Sequence, residues 1–428
     1  MEIITASYAL PMTNGCPVVK DGAIAVELGK IHAVGTKAEL TKKYPDAELK
    51  EFDDQILMPG LIDAHCHLDM IEYYDGMLQE TDAITQKPAD FINTLVEEID
   101  YKTETPAEQV IKGMQKGVTR LIETGTTCIG DMTYYEGTFK IVGEMGLRAV
   151  IFPEIMAGNG DMGQHRFEVA LALVDRYTDA TNDNVRVGLG PYAPYLLSRN
   201  LLKIVSQHAK EASIPIQIHA AESFAEMEFF FDSQGPIATD LWPAVGWRDL
   251  PPAQRKTPIQ YLADIGFLDA PVTIIGCMHL SEKDFPLLAR HLVRVVWCPT
   301  TNKVMKHGKF PYGKLIKQGI SIGFGTEGWH TRLGFSIWDE MREALGGTNA
   351  TPAPTARDIM KIATIGGARS LLMDPVTGTL EKGKHADYIV VRNPGFANEE
   401  ECYERLISNT EPQHVHHVVV GGNILKSI

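Results

Sequence analysis

The feature that most limits how this chain can fold is an alternation. Eight short apolar runs, each followed by a stretch of helical character, occupy residues 56–65, 126–131, 148–154, 185–190, 214–220, 272–277, 293–298 and 320–325. Strands separated by helices read as βα units, which lay their strands side by side in parallel. Eight units over about 310 residues fit an α/β fold of the (β/α)8 TIM-barrel type with insertions. An open doubly wound sheet is the structural alternative, but no GxGxxG loop follows the first run. Apolar residues at 44% suffice for a full core, and 22% charged residues suit a folded enzyme.

Both ends of the chain are strand-rich. Residues 23–27 and 31–34 flank Gly29 as a hairpin, and 387–391 and 417–420 read as strands, with Gly421-Gly422 as a turn. This predicts a small β-sandwich domain built from residues 1–55 plus 376–428, leaving 56–375 as one contiguous barrel. The formal net charge of −15 argues against nucleic acid or an anionic membrane as partner. Six cysteines without a CxxC pair predict reduced thiols and a cytoplasmic setting. The N-terminus has no basic, apolar leader pattern, and no apolar run approaches the roughly 20 residues that span a membrane.

Barrel active sites lie at the C-terminal ends of the strands. The first run ends Pro59-Gly60-Leu61-Ile62-Asp63-Ala64-His65-Cys66-His67. Extended residues two apart share a face, so His65 and His67 point together into the mouth while Cys66 turns away. Two imidazoles so placed suit zinc, iron or another borderline metal. The fifth run ends at His219, which can supply a third nitrogen, and Glu222 follows where it could shuttle protons at a metal-bound water. His279 stands at the end of the sixth run, and Glu327 after the eighth, where a carboxylate completes a metal shell. Singly, each has a plainer explanation: packed histidine, solvated carboxylate. The HxH pair and four further groups, all at strand ends, are hard to explain by packing. His414, His416 and His417 read instead as a solvated strand. His165, in a loop after the third run, and His330, after Glu327, are candidates to line a substrate pocket. Tyr73, Tyr74, Tyr192 and Trp329 could stack on a flat ring.

These motifs resemble the amidohydrolase superfamily, in its aminohydrolase and chlorohydrolase branch, which includes cytosine, guanine and adenosylhomocysteine deaminases and triazine hydrolases. Residues 59–67 resemble its PGLIDxHxH signature. Gly125-Thr126-Thr127 with Asp131 resembles its second-strand segment, and Tyr192-Ala193-Pro194-Tyr195 its HAPY segment. His219-Ala220-Ala221-Glu222 is similar to HxxE, Cys298-Pro299-Thr300-Thr301-Asn302 to CPxSN, and residues 378–387 to the closing GSLExGKxAD. The resemblance implies one divalent ion per subunit, Zn2+ or Fe2+, on His65, His67 and His219. It implies Glu222 as proton shuttle, His279 as positioning group and Asn302 on the substrate side. No lysine stands at Gly190-Pro191 to form a bridging carbamate, as in one-metal members. Two positions depart from the pattern: Glu327 replaces the Asp of GTDG, and Tyr192 replaces His. Glu327 is therefore open as ligand, as base only, or as a mark of altered chemistry.

The expected reaction is hydrolytic deamination of an aminopyrimidine, aminopurine or aminotriazine, metal-bound hydroxide attacking the amino-bearing ring carbon with release of ammonia. Alternatives are loss of chloride or an alkylamine from a triazine-like ring, opening of a cyclic amide, or a non-catalytic barrel disabled at Glu327. The expected partners are a small heterocyclic substrate and further copies of the chain, in a homodimer or larger assembly.

Overall fold

The computed structural model describes residues 1–15, 17–80, 91–156, 160–178, 184–328, 335–347 and 350–428. Its centre is a ring of parallel strands: β1 (Leu61–Cys66), β2 (Thr126–Thr133), β3 (Arg148–Ile155), β4 (Val185–Val187, continued by Gly190–Pro191), β5 (Ile216–Ala220), β6 (Val272–Gly276), β7 (Arg294–Trp297) and β8 (Ile322–Phe324). β1 to β4 pair in sequence order, as do β5 to β8. Parallel bridges Leu189↔Ile216 and Cys66↔Glu327 join the two sets and close the ring. Helices cover the outside, so strands such as Leu61–Cys66 and Thr126–Thr133 are buried along their whole length. That double burial is why they read as continuous apolar runs. The architecture is a TIM-like α/β fold.

The first run is split. Residues 56–59 end a separate strand, Glu48–Pro59, whose Leu57 pairs with Ala9 and Val390 in the terminal sheet. The break falls at Gly60, where a Cβ would lie 2.0 Å from the Thr127 hydroxyl, so only glycine lets β1 pass β2 this closely. β5 begins at Ile216, just after Pro215, rather than at 214.

The terminal strands form one eight-stranded sheet. Its order runs Asn423–Ser427, Val415–Val420, Tyr388–Arg392, Glu48–Pro59, Glu2–Ala9, Gly22–Glu27 and Lys30–Thr36, with Val19–Lys20 paired to Glu2–Ala9. The sheet curls over Ile4, Ile24, Leu57, Val390 and Val419, which brings the edge strand Lys30–Thr36 against residues 384–386 ahead of Tyr388–Arg392. The Ala386 amide donates to the Gly29 carbonyl at 2.8 Å, and Lys30 bridges His385. A buried ion pair fastens this sheet to the barrel: Arg148 on β3 donates twice to Asp387, at 2.7 and 3.0 Å. Among the described residues, no helix is long and apolar enough to cross a membrane.

Candidate active site

The C-terminal ends of β1 and β5 bring His65, His67 and His219 together, and the end of β8 adds Glu327. Their available ligand atoms lie within 4.8 Å of one another, as do those of His219, Glu222 and Glu327. The His67 and His219 rings lie parallel, 8° apart, with His65 edge-on to both.

Each ring is oriented by a neighbour. Gln217, two residues before His219 on the same face of β5, donates from Nε2 to the Ala64 carbonyl at 2.7 Å. Its oxygen is left facing His65 Nδ1 at 3.0 Å, so the proton of that ring sits on Nδ1 and the Nε2 lone pair faces the cluster. The loop after β5 is set by Glu226, whose carboxylate accepts the amides of Ala221, Glu222 and Ser223 at 2.8, 2.8 and 3.1 Å. Ser223 and Glu226 also form a capping box on helix Phe224–Asp232. Ala221 is left-handed (φ 54°), which turns Glu222 back toward His219; Oε2 lies 3.2 Å from Nδ1.

Glu327 is left-handed too (φ 59°). Its amide donates to the His65 carbonyl at 3.1 Å, and its carbonyl accepts from the His67 amide at 3.0 Å. Asp63 holds the preceding residue through the Thr326 hydroxyl and amide, at 2.6 and 3.1 Å. The carboxylate thus reaches the cluster, Oε1 standing 3.8 Å from His219 Nδ1. Left-handed non-glycine residues cluster where a site fixes the backbone, and Ala221, Cys277 and Glu327 follow β5, β6 and β8.

Burial, then the neighbouring His219, holds His65 down to about 3. Burial likewise pushes His67 well below the ordinary range, with Lys102 and the other rings adding to it. Both rings are neutral near pH 7 and offer lone pairs. Glu327 is pushed well up by burial and by Glu222. Burial also raises Glu222, but its bond to His219 and the nearby His307 and His65 outweigh that and leave it at about 2. Buried His65 Nε2, His67 Nδ1, His219 Nε2 and Glu327 Oε2 have no hydrogen-bond partner among the described residues. Buried polar atoms are rarely left so. Three neutral imidazoles beside carboxylates fit a divalent ion of the zinc or iron class.

Other expected residues divide. Tyr192 stacks on His219 at 4.9 Å, and Asn302 Nδ2 lies 3.5 Å from Glu222 Oε1. His279 sits at the end of β6 but outside the histidine cluster, its ring edge-on to Phe224; burial lowers it, with the His307 backbone and Glu222 opposing. Tyr73 donates to Glu97 at 2.9 Å and does not line the pocket over the cluster. His165 is not in a loop: it lies exposed on helix Gly160–Thr178, which takes in Gly160 and Gly163 of the segment read as a loop. Trp329 and His330 lie outside the described residues.

Several site groups went unread. His307, buried in the loop beyond Asn302, has Nδ1 3.8 Å from Glu222 Oε1. Glu98, on helix Phe91–Glu104, lines the pocket and accepts from the Tyr74 hydroxyl at 3.0 Å. Lys102, on the same helix, meets Glu154 at the end of β3. Gln217 alone carried a signal, its spacing of two from His219.

The amidohydrolase family model matches residues 56–425. The 5-methylthioadenosine/S-adenosylhomocysteine deaminase of Thermodesulfovibrio yellowstonii is 26% identical over 439 residues, covering 98% of this chain and 92% of its own. An adenosine deaminase from Xanthomonas campestris with bound zinc has the same fold, with TM-score 0.81 at 22% identity over 99% of this chain and 92% of its own. Helicobacter pylori aminofutalosine deaminase, in complex with methylthio-coformycin, does so with TM-score 0.83 at 20% identity over 99% of this chain and 100% of its own. The family match takes in every barrel strand and all three clustered histidines, and this chain belongs to the amidohydrolase family.

Proposed function

We propose that this protein is a metal-dependent hydrolytic deaminase of an aminated nitrogen heterocycle, with an aminopurine nucleoside as the favoured substrate class. The single observation that carries the reading is the cluster of buried, unpartnered ring nitrogens of His65, His67 and His219 beside the carboxyl groups of Glu222 and Glu327. The names of the similar proteins, which are adenosine-type deaminases, point to the same substrate class.

His65, His67 and His219 would hold one ion, Zn2+ or Fe2+, with Glu327 as the fourth protein group. Such an ion, when bound, lowers the pKa of a water toward neutrality and so supplies a nucleophile. Glu222, ionised and held by His219, accepts the proton of the attacking water and passes it to the ring nitrogen of the substrate. Its carboxylate is aimed by Glu226, which fixes the backbone on either side. Glu327, whose carboxylate a nearby cation would keep ionised, takes the second proton and gives it to the leaving amino group. Asn302 and His307 brace Glu222, and Tyr192 offers an aromatic face to a flat ring. Water and the amino-bearing carbon thus yield a carbonyl and ammonia. In the same reading His279 positions the reacting group, residues 1–55 plus 376–428 form a β-sandwich domain, and the chain works in the cytoplasm as a homo-oligomer.

The test is ammonia release from metal-replete protein across aminopurine nucleosides, aminopyrimidines and aminotriazines. Ammonia from a nucleoside is the expected result. No ammonia from any of them, with metal measured as bound, overturns the reading.

A further inference from the structure

The groups assigned above are almost closed off from solvent. His65, His67, His219 and Glu222 are 0, 3, 2 and 4% exposed. Water and a heterocycle must reach them, so something that covers them has to move. Across the barrel mouth lies helix Phe91–Glu104. Its Phe91, Thr94, Leu95 and Glu98 line the pocket over the cluster, at the three- and four-residue spacing of one helix face. One turn further on, Lys102 continues that face.

Lys102 is an unusual side chain for a covering helix. It is 3% exposed, and its Nζ lies 2.5 Å from Glu154 Oε2. That same oxygen is 3.9 Å from His67 Nδ1. The ammonium also sits 5.2 Å from the Tyr192 ring centroid. Burial alone lowers the proton affinity of Lys102, but Glu154, Asp69 and Glu98 outweigh it, and the side chain stays charged. One cation carried by the helix therefore answers the buried acid at the end of β3. The helix also has room at its flanks. One cavity of about 270 Å³ borders Tyr101, Lys102 and Thr105, and another of about 370 Å³ borders Val96, Ile99 and Thr103. Close packing resists displacement, and voids on both flanks relieve it.

We infer that helix Phe91–Glu104 is a lid over the site, that the Lys102–Glu154 pair is its latch, and that the closed latch makes Lys102 a positioning residue for His67 through Glu154. Opening the lid withdraws Lys102 and Glu98 together, exposes the pocket, and leaves the Glu154 carboxylate without its counter-charge. Closing it restores a fixed carboxylate 3.9 Å from the His67 nitrogen that faces the cluster, where its negative charge favours a bound cation. The lid rests on geometry alone; the positioning of His67 rests on the metal reading above.

The two are separated by hydrogen exchange and by metal loss, neither of which needs turnover. Lys102→Met strands the Glu154 charge, so the double variant K102M/E154Q, which removes both charges at nearly constant volume, is compared with it. Full-length protein with zinc added is used throughout. The expected result for both variants is amide exchange at least tenfold faster over residues 91–104, with the barrel strands Thr126–Thr133 and Val272–Gly276 unchanged. Zinc loss to excess EDTA should quicken by at least tenfold. Wild-type exchange over 91–104 in the double variant overturns the latch, as does a rise shared equally by the barrel strands. A loosened helix with an unchanged rate of zinc loss overturns the positioning of His67. A protein that binds no zinc overturns the metal reading and, with it, the positioning, while exchange still decides the lid.

Discussion

Two stretches of this chain carry histidines at the same spacing. His65 and His67 end a barrel strand; His414, His416 and His417 lie in and beside a strand of the terminal sheet. Period-two geometry puts the first pair on one face, whereas His414 ends the short 3-10 turn Pro412–His414 and only His416 and His417 lie in the strand Val415–Val420. At the mouth, β5 and β8 converge on that pair and add His219, Glu222 and Glu327. In the terminal sheet no comparable group converges among the described residues. The adjacent strand brings Ser427 opposite His417 and Lys426 opposite Val418, and His417 packs on Phe52 at 4.6 Å. Lys426 adds a positive charge near His416. Among the described residues, the clusters able to hold a metal lie at the mouth. Spacing proposes a ligand pair, and the topology of the neighbouring strands decides whether it becomes a site.

The largest test of that contrast is His67→Ala. Removing a ring from a three-histidine cluster should abolish bound metal and turnover, beyond the roughly 10–100-fold that loss of an outer partner costs. Metal analysis and ammonia release check it, and full activity in the variant would sink the assigned site. Next comes Glu222→Gln, which keeps three imidazoles but removes the proton carrier. Metal content should stay near one per chain while kcat falls by roughly 10²–10⁴-fold. A loss of metal equal to that of His67→Ala would instead place Glu222 among the ligands.

A smaller effect separates the buried mouth from the solvated sheet by pH. Burial raises Glu98 to about 7, with Lys102 and Tyr74 opposing. Its ordinary value is 4.5, so between those values the folded chain holds a proton that the unfolded chain has released. The stability from this group is full below 4.5 and is lost as the pH climbs through about 7. The loss is about 1.4 kcal/mol per pH unit in that window. Other buried acids titrate alongside, so the measure is the wild-type stability minus that of Glu98→Gln, from urea unfolding at pH 5 and pH 7. An equal difference at both pH values would show that Glu98 is not held protonated.

The same contrast explains what could be read from the sequence. Barrel strands are apolar on both faces because helices cover one and the barrel fills the other, so eight runs stood out. The start of β1 did not, because the terminal strand Glu48–Pro59 and Leu61–Cys66 are both buried and only Gly60 parts them. His65, His67 and His219 were legible because strand ends repeat at a fixed period. Glu98, Lys102 and His307 come from a covering helix and a loop, whose approach to the mouth is set by packing between distant segments. No local pattern marks them. Glu154 stood at a strand end, yet only the arrival of Lys102 shows its role.

The smallest expected effect is the sharpest control. His416→Ala removes the middle ring of the terminal run, a half-buried side chain whose backbone carbonyl, not its ring, accepts the Ile428 amide at 3.0 Å. A surface-type change of this kind shifts stability by no more than about 0.5 kcal/mol. Metal per chain and turnover should equal those of the parent. A drop of one metal per chain would mean that the terminal run holds an ion after all. Convergence of strands would then be sufficient for a site but not necessary, and the weight given to β5 and β8 would have to be shared with a motif that ends in solvent.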